Sequence, residues 1–114
     1  MNLLWEMPIV VRSAVPGAMP DGMNEAIAMT FVGAPDYEAA VLKGVAALQE
    51  MNLAFENILG GKIFQVPLEQ WAEHITHKYD YFLENLPRQE EVPALVASGA
   101  VFLGPFLGYT RESK

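Results

Sequence analysis

Residues 68 to 86, LEQWAEHITHKYDYFLENL, carry the clearest periodic pattern in the chain. At about 100° per residue, the apolar side chains fall on one side of a helix and most charged side chains fall on the other. The apolar side is formed by Leu68, Trp71, Ala72, Ile75, Tyr79, Phe82, Leu83 and Leu86. Pro67 and Pro87 are suited to begin and to end such a helix. The stretch therefore predicts a helix whose apolar side covers a hydrophobic core.

Two segments near the N-terminus predict the strands that this helix would cover. Residues 8–15, PIVVRSAV, and residues 25–33, EAIAMTFVG, are short and rich in β-branched and other apolar residues. Between them, residues 16–24 hold two prolines and two glycines, which is typical of a turn-rich connection. We therefore expect the two strands to pair as an antiparallel hairpin with a long loop.

A second helix is predicted to follow this hairpin. Pro35 and Asp36 suit a helix N-terminus, and several alanines favour a helix that continues over residues 36–51. Its predicted buried side contains Gly44, which would allow the helix to pack closely against the sheet.

The remaining segments predict more strands and a short helix. Residues 53–66 are typical of a hairpin that turns at Gly60-Gly61, although their first half would also suit a helical tail. A short helix is expected after Pro93, and residues 100–109 predict a last strand. Because Pro105 has no N–H to donate, this strand should be an edge strand, or be bulged or broken at that residue.

Together these elements predict a single α+β domain over residues 1–114, with the order β-β-α-β-β-α-(α)-β. The short connections favour a mainly antiparallel sheet. The two main helices, at about residues 36–51 and 68–86, are expected to pack on one face of it.

The composition excludes several classes of protein. The chain of 114 residues has no cysteine, which removes disulfides and thiolate chemistry. Its few Lys and Arg residues do not cluster, so a nucleic-acid surface is not expected. No apolar run reaches the roughly 18 residues of a membrane span, and the N-terminus has no signal-peptide pattern. We therefore expect a cytoplasmic protein without a membrane or nucleic-acid partner.

The negative charge is concentrated in the middle of the chain. Residues 36–91 carry ten acids and four bases, and so hold most of the formal net charge of −7. An acidic field favours basic partners, although it also serves solubility alone. The polar side of the predicted helix is the centre of this region and gives a candidate partner-binding surface: Glu69, Glu73, His77, Asp80, Tyr81 and Glu84.

Few residues of the sequence are candidates for metal or ligand binding. His74 and His77 lie three residues apart, but no convincing third ligand accompanies them, so we expect no metal site and no cofactor. Arg12, a lone charge in an apolar strand, could bind an anion or point to water. Asp21 lies in the 16–24 loop, where binding residues are common. Arg12 and Asp21 are the weak candidates for ligand binding.

Two functions remain open from the sequence. The acidic region, without a recognisable nucleophile or metal set, favours a non-enzymatic protein-binding domain, such as an inhibitor of a basic partner. Immunity proteins against nuclease toxins share this size and charge, which is an analogy of properties only. The alternative is a small-molecule-binding protein or minor enzyme with a pocket between sheet and helices, tested at Arg12, Asp21 and His77. A homodimer through the first hairpin or the last strand is compatible with both.

Overall fold

Two long strands form the centre of the sheet. The computed structural model describes residues 1–19 and 23–109, and side chains as far as residue 107. Strand β1 spans Leu3–Ser13, and strand β2 spans Glu25–Ala34. They pair antiparallel from Leu3 opposite Ala34 to Arg12 opposite Glu25. The predicted first hairpin is therefore confirmed, and β1 begins five residues before the predicted start. Part of the predicted loop 16–24 lies outside the described residues.

The other strands lie along the two outer edges of this pair. Strand β3, Leu53–Ile58, and strand β4, Phe64–Gln65, both pair with β1, and β5, Val101–Tyr109, pairs with β2. All pairings are antiparallel, in the order β3-β1-β2-β5 with β4 also beside β1. The predicted α+β class, with a mainly antiparallel sheet and helices packed on it, is confirmed.

The predicted hairpin at residues 53–66 is replaced by an interrupted edge strand. Because β3 pairs with the end of β1 and β4 with Trp5 and Glu6 nearer its start, the two segments run along β1 in the same direction. Between them lies a short 3₁₀ turn, Leu59–Gly61, in which both glycines have positive φ. These glycines let the chain leave the ladder and rejoin it, and the long edge of β1 accommodates both segments.

Strand β5 behaves as its proline predicts. It is hydrogen-bonded only to β2 among the described strands. Its register shifts between Leu103, opposite Thr30, and Phe106, opposite Ala28, so Pro105 lies in the irregular part of the ladder. The sequence predicts an edge strand or one bulged or broken at Pro105, and the structure has both alternatives.

The helices lie on opposite faces of the sheet, which corrects the prediction that both main helices share one face. Helix α1, Tyr37–Glu50, packs on one face of the sheet. There, the atoms nearest to a Cβ built on Gly44 belong to the side chains of Thr30, Ile9 and Val32. Helices α2, Trp71–Lys78, and α3, Val92–Ala97, pack on the other face. The physical reason is that β1 and β2 are apolar on both faces, so each face needs a cover.

Helix α1 begins and ends close to the predicted limits. The Asp36 side chain accepts a hydrogen bond of 2.8 Å from the backbone N–H of Ala39, which caps the N-terminus. Gly44 is buried against the sheet, as the sequence predicts.

The stretch 68–86 is helical in three pieces and is not one continuous helix. A 3₁₀ turn, Leu68–Gln70, leads into α2, and a 3₁₀ segment, Asp80–Asn85, follows after a break at Tyr79. Tyr79 has φ −134° and ψ 41°, outside the helical range. Trp71, Ile75, Tyr79 and Leu86 are buried as predicted, whereas Ala72 and Leu83 are exposed. The break accompanies a buried hydrogen bond of Tyr79 to the sheet, a tertiary contact that overrides helical periodicity.

A Gly33→Ala substitution is expected to destabilise the protein because α3 lies against the backbone of β2 at this position. A Cβ atom on Gly33 would lie 2.6 Å from the carbonyl oxygen of Val96. The required shift of α3 should cost about 1–3 kcal/mol. Gly44→Ala is the control, because its Cβ would meet only side-chain methyl groups at 3.3 Å or more, while alanine favours the helix. Urea unfolding of both variants checks this; equal losses of stability would contradict the close approach of α3.

Candidate functional site

Strand β1 carries one acidic residue in its buried part. Glu6 is 1% exposed and lies beside Phe31 of β2 and Phe64 of β4. An isolated carboxylate in such a place would lose its hydration at a high cost, so its hydrogen-bond partners decide whether the position is tolerated.

Two side chains of α2 and that of the residue after it supply these partners. Oε1 of Glu6 accepts hydrogen bonds from Nε2 of His74 at 2.9 Å and from Nζ of Lys78 at 3.2 Å. Oε2 accepts a hydrogen bond from the Tyr79 hydroxyl. His74 and Lys78 are four residues apart, so they lie on the same side of α2. The break after Lys78 places the Tyr79 hydroxyl at the second oxygen. We call Glu6, His74, Lys78 and Tyr79 the Glu6 cluster.

The hydrogen bond to Glu6 fixes the role of each nitrogen of His74. Because an ionised carboxylate only accepts, this hydrogen bond assigns a ring proton to Nε2. Nδ1 has no hydrogen-bond partner within the described part of the chain, so in the neutral ring it keeps a lone pair. His74 remains 26% exposed. The sequence places His74 on a solvated polar face, and the structure instead joins it to a buried carboxylate.

Lys78 is held between a carboxylate and two aromatic rings. Its Nζ lies 5.5 Å from the ring centre of Phe64 and 5.6 Å from that of Tyr79. Both distances are within the range of cation–π attraction. The side chain is 43% exposed, so its ammonium group is positioned from within the protein while it still reaches solvent.

Burial raises the pKa of the Tyr79 hydroxyl well above its usual range. The hydrogen bond that it donates to Glu6 and the negative charge of that carboxylate raise the pKa further. The hydroxyl therefore stays protonated and acts as a donor to Glu6 at all moderate pH values.

This raised pKa predicts a loss of stability in alkali. Above about pH 10 the unfolded chain releases the tyrosine proton while the folded chain retains it, so the free energy of unfolding falls as pH rises. Tyr79→Phe should lack this alkaline fall in the free energy of unfolding. Tyr81→Phe, a change at an exposed tyrosine, should keep it. Urea unfolding from about pH 9 to about pH 11 measures the difference. The same alkaline slope in both variants would contradict the assignment.

The Glu6 cluster lies at a cavity of about 280 Å³ between the sheet and α2. The lining residues, of both polar and apolar character, are Glu6, Phe64, Gln65, Val66, Pro67, Gln70, His74 and Lys78. A shallower depression of about 310 Å³ adjoins it and shares Gln70, His74 and Lys78, with Glu73 and His77 on its outer side. Glu6, His74 and Lys78 therefore all line the first of two spaces that a small molecule could enter, and His74 and Lys78 also line the second.

The larger cavity of about 410 Å³ lies elsewhere and is apolar. Its lining residues are Ala18, Met19, Met23, Ala26, Met51, Leu53 and Phe106. None of them has a side chain that could transfer a proton or carry a charge. By volume alone, this apolar cavity is the better candidate for a ligand site. By the polar and charged side chains of its lining, the cavity at Glu6 is the better candidate.

Aromatic packing and one glutamine fix the position of α2. The Trp71 ring packs edge-on against Phe31, at 5.1 Å between ring centres, and its Nε1 donates a hydrogen bond of 2.8 Å to the Pro87 carbonyl. Gln89 accepts a hydrogen bond from the Ala72 N–H and donates one to the Leu68 carbonyl. The start of α2 is therefore tied to the segment after residue 86, and the helix carries His74 and Lys78 on a supported backbone.

The predicted partner-binding residues are all exposed. Glu69, Glu73, His77, Asp80, Tyr81 and Glu84 all meet solvent. The helix breaks at Tyr79. The 3₁₀ segment after the break contains Asp80, Tyr81 and Glu84, which therefore do not lie in line with the polar side of α2. The structure brings Glu73 and His77 together at the outer depression.

Arg12, one of the two weak ligand candidates, lies away from this cavity. Arg12 forms an ion pair with Glu56 on β3, at 2.7 Å, and does not line the Glu6 cavity. Asp21 lies outside the described residues. Of the residues chosen to test a pocket, the structure describes Arg12 and His77, and of these two His77 lies near the Glu6 cluster, on its outer side.

Glu6 is the residue that sequence reasoning missed. The predicted strand starts at Pro8, so the acid falls outside it. The signal that could have found it is the single acid in LLWEMPIVV, residues 3–11, an otherwise apolar run long enough for a strand. Charged residues are rarely fully buried unless they are paired, so such an acid predicts a partner elsewhere in the chain.

Neither a metal centre nor a known relative identifies the site. Within residues 1–19 and 23–109, no group of three or more His, Cys, Asp or Glu side chains is placed to share an ion. The same part of the chain has no helix that is both long and apolar enough to span a bilayer. No protein-family model matches the chain, and comparison with curated proteins and with solved structures found no significant similarity.

Proposed function

We propose that this chain binds a small polar molecule in the cavity between β1, β4 and α2. The observation that supports this most is the Glu6 cluster, in which a buried carboxylate holds two partly exposed basic side chains at the cavity wall. A buried ion pair is a weak source of stability, because apolar residues of similar size often stabilise a core as well or better. The arrangement is therefore better explained by what it presents to the cavity.

The lining residues indicate the chemistry of the ligand. Lys78 and the amides of Gln65 and Gln70 can donate hydrogen bonds to carbonyl or carboxylate oxygens, while Phe64 and Val66 offer apolar contact. The cavity volume of about 280 Å³ lies just below the range of about 300–1,000 Å³ that is usual for ligand pockets, so the ligand should be small. A small oxygen-containing metabolite with a flat apolar part fits this combination best.

Screening a library of small carboxylates and carbonyl compounds by ligand-observed NMR tests this proposal. Compounds that bind the wild type should bind Lys78→Met about tenfold more weakly, because the charged donor is removed. Lys62→Met is the matched control, an exposed lysine away from the cavity lining, and should bind as the wild type does. No binding in the millimolar range, or equal binding by both variants, would contradict the proposal.

A second candidate is the acidic surface formed by Glu69, Glu73, His77, Asp80, Tyr81 and Glu84. The observation that favours it is that its four acids form no ion pair with any described residue, and that Tyr81 is 66% exposed. Unpaired acids and an exposed tyrosine suit a basic protein partner, as in the inhibitor-like function.

Charge reversal tests the acidic surface. A basic partner retained at low salt should be lost at high salt and on Glu73→Lys with Glu84→Lys. Glu38→Lys, an exposed acid on α1, is the control and should leave binding unchanged. Retention of the partner by the double reversal would exclude this surface.

A third proposal, which the sequence analysis also raises, is that the protein forms a homodimer. The edge strand β5 has exposed Phe106 and Leu107, which supports association through that edge. Light scattering that shows only monomer at micromolar concentration would rule out a tight dimer.

A further inference from the structure

We infer that the cavity is a proton-transfer site in which Nδ1 of His74 takes a proton from a bound carbonyl compound. This inference rests on the proposed small-molecule function and names its chemistry. The structural basis is the hydrogen bond between Glu6 and Nε2 of His74 beside a cavity of about 280 Å³.

The pairing of Glu6 with His74 is the arrangement that a general base requires. The carboxylate orients the ring and keeps the proton on Nε2, so the lone pair is on Nδ1. When Nδ1 gains a proton, the resulting imidazolium is stabilised by the negative charge at 2.9 Å. His74 is thus the catalytic residue, and Glu6 is a positioning residue that acts through it.

The other charged groups around His74 suit the same reaction. Lys78 shares Oε1 of Glu6 with His74 and can face negative charge that develops on a substrate oxygen. The Tyr79 ring packs edge-on at 6.4 Å from the imidazole, and its hydroxyl satisfies the second carboxylate oxygen. Glu73 and His77 lie on the outer side, at the depression that His74 also lines.

The lining of the cavity favours acid–base chemistry over a covalent intermediate. None of its lining side chains is a serine, threonine or cysteine. The only amine, that of Lys78, is hydrogen-bonded to Glu6 as an ammonium group. Proton transfer is the step that these groups can perform without any other reactant.

The step balances as an internal redistribution of one proton and one electron pair. A C–H bond next to a carbonyl group breaks, and its proton forms a bond to Nδ1 of His74. The electron pair moves into the carbonyl group to give an enolate whose oxygen is stabilised by Lys78. Return of the proton from Nδ1 to the same or a conjugated carbon regenerates the base, so the overall reaction is an exchange or an isomerisation.

A chromogenic carbon acid, nitrobenzisoxazole, tests the base directly. Removal of its carbon-bound proton breaks the ring N–O bond and releases a coloured nitrile phenolate, with no other reactant. The wild type should accelerate this reaction over buffer, and His74→Gln should lower the rate by about tenfold or more. Glutamine retains a donor for Glu6, so the fold should persist, which a melting curve checks. Glu38→Gln, a change at an exposed acid of α1 away from the cavity lining, should retain the rate.

The outcomes separate this inference from the proposed function. A wild type without acceleration, or a His74→Gln variant as fast as the wild type, would overturn the inference. So would a rate abolished by Lys78→Met but not by His74→Gln, because lysine would then be the base. If library compounds still bind with the expected dependence on Lys78, the binding function stands without the proton transfer.

The tautomer of His74 gives a second test that needs no turnover. A long-range proton–nitrogen NMR spectrum of the neutral ring should show the proton on Nε2, as the hydrogen bond to Glu6 requires. A proton on Nδ1 would overturn the inference, because the base would then be turned towards Glu6. His77, which forms no hydrogen bond to that carboxylate, is the internal reference.

Discussion

Replacing Trp71 by alanine is expected to lower the free energy of unfolding by about 3–5 kcal/mol. The ring is fully buried and packs edge-on against Phe31 and Phe102, at 5.1 and 5.7 Å between ring centres. Its Nε1 also loses the hydrogen bond to the Pro87 carbonyl. Because domains of this size are stable by only about 5–15 kcal/mol, this single change should bring the protein close to unfolding. Urea unfolding followed by circular dichroism measures the loss.

Two aromatic residues of the 3₁₀ segment after α2 serve as controls. Phe82 is only half-buried, so Phe82→Ala should cost less than Trp71→Ala. Tyr81→Ala changes an exposed ring and should have little effect. A loss below about 1 kcal/mol for Trp71→Ala would contradict the packing of α2 on the sheet.

Replacing Tyr79 by phenylalanine is expected to cost about 1.5–3 kcal/mol, because one oxygen of a buried carboxylate loses its donor. Glu6 is almost completely buried, so water cannot easily take the place of the hydroxyl. The phenyl ring itself keeps the packing against Phe31. Most of the loss therefore reports the hydrogen bond, and thermal or urea unfolding at neutral pH measures it.

A double-mutant cycle separates this hydrogen bond from other effects. Glu6→Met removes the buried charge, and the partly exposed His74 and Lys78 can then be hydrated. The double variant Glu6→Met with Tyr79→Phe should be more stable than the two single losses predict when they are added, because no donor or acceptor of the pair remains unpaired. Additive losses would show that Tyr79 and Glu6 do not depend on each other.

The local patterns of the sequence predict most of the fold. The first hairpin, α1 and the interrupted edge strand at Pro105 follow from short apolar runs, a helix cap and a missing N–H donor. The break at Tyr79 could not be predicted, because it accompanies a contact with Glu6, which is distant in the sequence. The distribution of the helices over both faces of the sheet could have been predicted, because β1 and β2 are apolar on both faces.

The candidate site was predicted less well than the fold. His74 and Lys78 look like solvated residues of a helix, and only the tertiary approach of α2 to β1 gives them a buried partner. A periodic pattern shows which side of a helix meets the core, but it does not show what lies opposite. The lone acid at Glu6 was the available signal, and its partner could be identified only after the strand and helix were placed together.

Mapping a bound compound on the protein by NMR tests the proposed function most directly. With the tightest-binding library compound, chemical-shift changes should be largest at the lining of the Glu6 cavity, at Phe64, His74 and Lys78. They should be absent at Leu53 and Phe106, which line the apolar cavity. Changes confined to Leu53 and Phe106, or to the acidic surface around Glu84, would contradict a small-molecule site at Glu6.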